Sequence, residues 1–282
     1  MMRLFSIEWF KLKHHRFFWI GMGLFLVLLS ALLVYFGKFE LPIKVESDGS
    51  FEGEMMSGLI PKTFEEAGFY LMPYLWQNGT YLAGFFKFIP AFLMLFFMSS
   101  EFEYRTYRQN VIDGLSVGEF FISKLYSLLL FSLLSTLAVG LTILFLASSY
   151  NDLQEVDLLQ QSEFLLALFM EIFFLLSMAM FLGLWVKRSA VAIIILIMYY
   201  YVVEPVTGWV VDNYLGLAIS DYLPTRPSRQ LIPQPFARMF SVRMFSKLEE
   251  LDQLNWGTFS LSFAYSLAFL GAAFGLLKKR DL

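Results

Sequence analysis

Six apolar stretches constrain this chain more than any other feature in it. They fall at residues 17–35, 81–100, 125–149, 164–185, 190–203 and 256–277. A bilayer core of about 30 Å takes about 20 apolar residues of helix to cross, and all but the fifth stretch meet that length comfortably. Lipid offers the backbone no hydrogen bonds, so such stretches are helical. The expected fold is all-α and polytopic, one transmembrane unit over residues 1–282. Hydrophobic residues make up 58% of the chain, with 33 Phe, more than an ordinary soluble domain carries.

Charge sets the expected orientation. Arg3, Lys11, Lys13 and Arg16 precede the first stretch; Arg105, Arg108 and Lys124 lie between the second and third. Lys187 and Arg188 follow the fourth, and Lys278, Lys279 and Arg280 follow the sixth. These all fall on one side. On the other side, residues 151–163 hold four acids and no Lys or Arg, and the outer loop 38–78 holds seven acids against three lysines. The positive-inside rule then places both termini of a multi-pass membrane protein in the cytoplasm. The loop 204–255 carries five basic residues outside, but loops of that length scarcely influence orientation. The first stretch is too long for a signal-peptide core and lacks a small-residue cleavage site, so it is read as a span.

Two cytoplasmic segments have more structure than a tail or a turn requires. In residues 1–16, Phe5, Trp9 and Leu12 recur with Met2 at helical spacing, and Lys11, Lys13, His14 and His15 form the polar side. This predicts an interfacial helix, serving either as an anchor on the lipid bilayer or as a lever against a soluble partner. The adjacent His14 and His15 do not face one another on a helix, so no metal site is expected. The absence of cysteine removes thiolate sites and thiol nucleophiles. Residues 101–124 read as a helix–break–helix elbow. Asp113-Gly114 stops the first helix, and Ser116 with Glu119 forms a capping box that starts the second. Phe102, Tyr104 and Tyr107 are expected to be exposed on it.

With these segments in order, the chain resembles the membrane subunit of an ABC type-2 transporter, the permease partner of a separate ATPase. The resemblance rests on the basic amphipathic N-terminus, the six spans, the elbow Glu-x-Arg-Thr-x-x-Arg followed by Leu115-Ser116, and the Lys-Lys-Arg-Asp-Leu terminus. It departs at Arg105-Thr106, where many members have Gly-Thr, and at Val117, where many have Arg. The resemblance implies an exporter whose elbow is a coupling helix seated in the ATPase. Its coupling residues would be Glu101, Glu103, Tyr104, Arg105, Thr106, Arg108, Asp113, Leu115 and Ser116. The expected partners are ABC ATPase subunits, a second permease copy or a related permease, and the bilayer, with no nucleic acid. No Gly-x-x-x-x-Gly-Lys-Ser/Thr loop occurs, so no cofactor is expected on this chain. ATP and Mg²⁺ belong on the partner, and no residue here is expected to be catalytic. The alternative is a non-transporting scaffold or assembly subunit of an ATP-driven envelope machine.

Within the spans, Lys87 and Glu171 are the two charges, and intramembrane charges tend to face the bundle interior and pair. They are read either as a pin between two helices or as the lining of a substrate path, and Lys87 also has the option of snorkelling outward. Glu204-Pro205 is expected to end the fifth span. Beyond it, residues 204–255 are expected to form a re-entrant element and an amphipathic helix bearing Phe236, Phe240, Met244, Leu248 and Leu251. Gly271 and Gly275 form a Gly-x-x-x-Gly motif, read as packing within the subunit.

Overall fold

The computed structural model describes residues 2–40, 63–104, 106–112, 114–151, 157–186, 188–214, 216, 220–235 and 253–279. Side chains are described from Glu8 onward, except those at positions 108, 110 and 111. The elements are α1 (Met2–His14), α2 (Arg16–Phe36), α3 (Tyr74–Ala83), α4 (Phe88–Glu103), α5 (Thr106–Ile112), α6 (Val117–Tyr150), α7 (Glu163–Val186), α8 (Ser189–Met198), α9 (Glu204–Tyr214), α10 (Thr225–Arg229) and α11 (Trp256–Lys278). Among the described residues, β pairing is limited to the Glu40–Thr63 bridge. Among the described residues, five helical stretches are long and apolar enough to cross a membrane, and six if the bent pair α3–α4 counts as one. The chain is therefore an all-α protein of multi-pass membrane architecture.

Helix α7 is the hub, packing against α11, α4 and α6. It is buried on nearly all sides, as an all-round apolar helix at a bundle centre should be. Peripheral spans bury one stripe each. In α2 that stripe is Phe18, Met22, Phe25, Leu29 and Leu33, at the helical repeat. Helix α6 has 34 residues, about 51 Å at 1.5 Å per residue, well beyond a bilayer core of about 30 Å. Its first turns therefore stand clear of the membrane or the whole helix tilts.

Polar contacts pin the ends of the bundle. At one end, the Tyr70 hydroxyl donates to the Leu33 carbonyl at 2.8 Å, and the Asn151 side chain accepts from the Met72 N–H at 2.9 Å. There too Glu163 accepts from the Leu254 N–H at 2.9 Å. At the opposite end Glu8 meets Lys124, and the Phe121 ring lies 5.1 Å from Phe274. Helix α1 and the last turns of α11 thus share one end of the bundle.

Three expectations change. The second span starts earlier than residue 81: α3 begins at Tyr74, inside the expected outer loop, and the span bends by 41° where Lys87 separates Phe86 from Phe88. Pro205 does not end the fifth span. The helix runs on to Tyr214 through a π-helical turn at Tyr199–Val203. A π turn shifts the hydrogen-bond register, which accommodates the N–H that Pro205 lacks. Residues 220–229 then fold back on α9, with Gly208 leaving room for Ser220 and Leu223. Lastly, Gly271 and Gly275 pack against nothing among the described residues, since a Cβ at either would meet none of their atoms within 4 Å. Ser262, Ser266 and Ala273 are the small residues α11 buries. The stripe expected at Phe236–Leu251 lies outside the described residues.

Candidate functional site

The elbow is built as two short-range stops. After Glu103 the chain turns at Tyr104 and resumes as α5; Thr106 donates its hydroxyl to the Glu101 carbonyl at 3.0 Å. Gly114 then adopts φ +94°, a conformation L side chains avoid. Ser116 accepts from the Glu119 N–H at 3.2 Å, and Glu119 accepts from the Ser116 N–H at 2.9 Å, which starts α6.

Behind the elbow lies a buried charge cluster that joins three helices. Lys124 of α6, 0% exposed, donates to Glu101 at the end of α4 at 2.6 Å and to both oxygens of Glu8 from α1 at 3.1 Å. Lys11 reaches Glu101 at 3.2 Å and Glu8 at 3.4 Å, and the Ser127 hydroxyl donates to Glu8 at 2.9 Å. The Lys124 ammonium also sits 4.5 Å from the Phe97 ring centroid. Burial alone would raise the Glu8 pKa, but Lys124 and Lys11 outweigh it and hold the carboxyl below its ordinary range. Burial likewise disfavours charged Lys11, yet Glu101 and Glu8 raise its pKa above the usual lysine value. Glu8 and Lys11 are therefore both favoured in their charged forms within the cluster.

This arrangement redistributes the expected elbow residues. Glu101 is buried in the cluster rather than presented outward, and so is Leu12 on α1. Tyr107 is only 5% exposed, its ring 4.8 Å from Phe120 and 5.1 Å from the half-buried Phe102, so of the three aromatics expected on the surface only Tyr104 is fully there, at 73%. Glu103, Thr106, Gly114 and Ser116 are exposed, Leu115 is half-buried, and Ile112 is 81% exposed. Arg105 and Asp113 lie outside the described residues, as do the side chains of Arg108 and Phe5. Trp9 is partly exposed rather than packed beside Leu12. Sequence reasoning missed Glu8, although its spacing of four residues from Leu12 puts both on one face of α1.

Within the membrane, Lys87 and Glu171 form an ion pair buried on both sides. The Lys87 ammonium also lies 5.0 Å from the Tyr200 ring centroid, on the π-helical turn. The carboxylate lies against Gly84, where a Cβ would stand at an ordinary contact distance of 3.4 Å from a Glu171 oxygen. The bend in the second span positions Lys87 inward, so it pairs rather than snorkels. Among the described residues no group of three His, Asp or Glu is placed to hold a metal ion. Comparison with protein-family models finds no match, and comparison with curated proteins finds none either.

Proposed function

We propose that this chain is the membrane-spanning subunit of an ATP-driven ABC type-2 transporter, an exporter that pairs with a second permease and docks separate ATPase subunits at the elbow. The observation that carries the reading is how the elbow is mounted. Its outward side offers Tyr104 and Ile112 next to the charged Glu103, the mixture of aromatic and aliphatic anchors with a polar rim that protein interfaces use. Its inward side is clamped through Glu101, Glu8 and Lys124 to α4, α1 and α6 at once. Helix α5 joins this clamp through Thr106 at the Glu101 carbonyl and through Tyr107 against Phe120, so a force on it reaches α4 and α6 and, through the clamp, α1. A loop that only reversed the chain would need neither the exposed anchors nor the clamp.

The test uses the affinity-purified full chain from its native membranes. The expected result is ATP hydrolysis in the eluate, lost when Tyr104→Asp and Ile112→Asp are combined while the spans still insert. Equal hydrolysis with both variants present removes the elbow as the docking site. Hydrolysis that proceeds at the same rate whether or not any added solute is moved favours the scaffold alternative.

A further inference from the structure

A cavity of about 200 Å³ opens beside the intramembrane ion pair, walled by Lys87, Glu171, Tyr200, Tyr201, Arg229 and Phe85. Lys87 and Glu171 cancel one another. Arg229 has no such partner. Its guanidinium carbon lies 3.9 Å from the Tyr200 ring centroid, yet its Nε and Nη2 are buried and donate to nothing among the described residues. Nearby carboxylates are committed elsewhere. Glu171 is bound to Lys87, and Glu204 accepts from the Thr225 N–H at 2.8 Å and from its hydroxyl at 2.6 Å. The walls therefore present two guanidinium N–H donors side by side with no acceptor among the described residues. A guanidinium fork of this kind matches a carboxylate or phosphate bidentately, and leaving it unfilled away from water is costly.

The mouth of the cavity narrows the choice. Phe85 is 62% and Tyr201 56% exposed at its rim. Both belong to spans, so this rim faces the surroundings of the bundle at membrane depth. Glu171 stands eight residues into α7, about 12 Å along a helix that overshoots the bilayer core by only a turn. The cavity thus lies above the bilayer midplane, on the side where α7 begins. Consecutive Tyr200 and Tyr201 both line it because the π turn widens the helix there, and π turns inside α-helices recur at functional sites. Its volume suits a headgroup phosphate and its ester atoms but not a diacyl lipid, whose chains would remain outside along the aromatic rim.

We infer that this cavity binds the phosphate of an anionic phospholipid entering sideways from the bilayer, with Arg229 as the bidentate donor. The inference stands whether or not an ATPase docks at the elbow.

Purified full-length chain in neutral detergent tests it, with retained lipid read by native mass spectrometry. The probes are dioleoyl phosphatidate, dioleoylglycerol and inorganic phosphate. Wild-type protein is expected to retain phosphatidate and not dioleoylglycerol, and Arg229→Gln to weaken that retention about tenfold or more. Should Arg229→Gln fail to fold, Arg229→Lys keeps the charge and stem but loses the fork, and it too is expected to bind several-fold more weakly. Phosphatidate retention unchanged in a folded Arg229 variant overturns the inference. So does inorganic phosphate displacing phosphatidate at equal concentration, because the site would then recognise a free anion and not a lipid.

Discussion

The molecule buries lysine–glutamate pairs in two places, and they are finished differently. At the elbow, two lysines meet two carboxylates with a serine hydroxyl added, so every formal charge has an opposite within hydrogen-bond reach. Inside the membrane, Lys87 meets one carboxylate, Glu171, and the Tyr200 ring, while Arg229 beside them has two N–H donors without an acceptor among the described residues. The first arrangement pairs each of its charges, with one Glu101 oxygen unbonded, and fits a clamp. The second leaves a guanidinium fork without an acceptor among the described residues and fits a receptor. Burial by itself does not separate these roles; the pairing of donors with acceptors does.

The sharpest way to break the comparison is Lys124→Met. It leaves Glu8 and Glu101 with Lys11 as their one remaining cation, so one buried negative charge is uncompensated, and an unfolding free energy lower by about 4 kcal/mol is expected in detergent. A loss below about 1 kcal/mol would mean that the cluster is solvated and clamps nothing.

Next comes the intramembrane pair. Lys87→Met or Glu171→Leu alone is expected to cost about 3 kcal/mol, because each leaves one buried charge behind. The double variant should recover much of this, and strictly additive losses in the cycle would show that the pair contributes no coupling.

Ser127→Ala is a smaller probe of closure. It removes one neutral hydroxyl donating to a carboxylate and should lower stability by about 2 kcal/mol, measured by chemical unfolding. The matching substitution near the membrane cavity, Tyr201→Ala at an exposed rim, should cost less.

The smallest effect is expected from pH. Glu8 has a depressed pKa in the folded state, so its contribution is present above the ordinary carboxylate range and is lost as pH falls through that lowered value. Lys11 has a raised pKa, so its contribution is present below the ordinary lysine range and is lost as pH rises through the raised value. Between about pH 6 and about pH 8 both are constant. Trp9 and Trp19 fluorescence should therefore report a docked α1 that does not change over that window. A transition inside it would show that these two groups do not control docking.

Several of these features are legible in the residues themselves. Ser116 and Glu119 carry their cap in their spacing, and Gly114 its left-handed stop, because both are decided within one helical turn. The spans at Arg16–Phe36, Glu163–Val186 and Trp256–Lys278 are equally local, since apolar length alone sets them. Lys87 and Glu171 are conspicuous for the opposite reason: lipid tolerates few charges, so two of them imply a partnership before any geometry is known.

Other features needed the third dimension. Pro205 reads as a stop, yet a register shift at Tyr199–Val203 carries the helix past it. Gly271 and Gly275 match a packing motif, but nothing among the described residues lies against them. Tyr104 and Tyr107 look alike on the page, and only the position of Phe120 decides that one is buried and the other exposed. Glu8 lies 116 residues from Lys124 and Arg229 lies 29 from Tyr200, so neither contact has a local signal. The sequence by itself determined that the chain is a helical membrane protein, because length and polarity act within one helix. Which charges cancel and which is left to bind depends on how separate helices come together, and that only the tertiary structure decided.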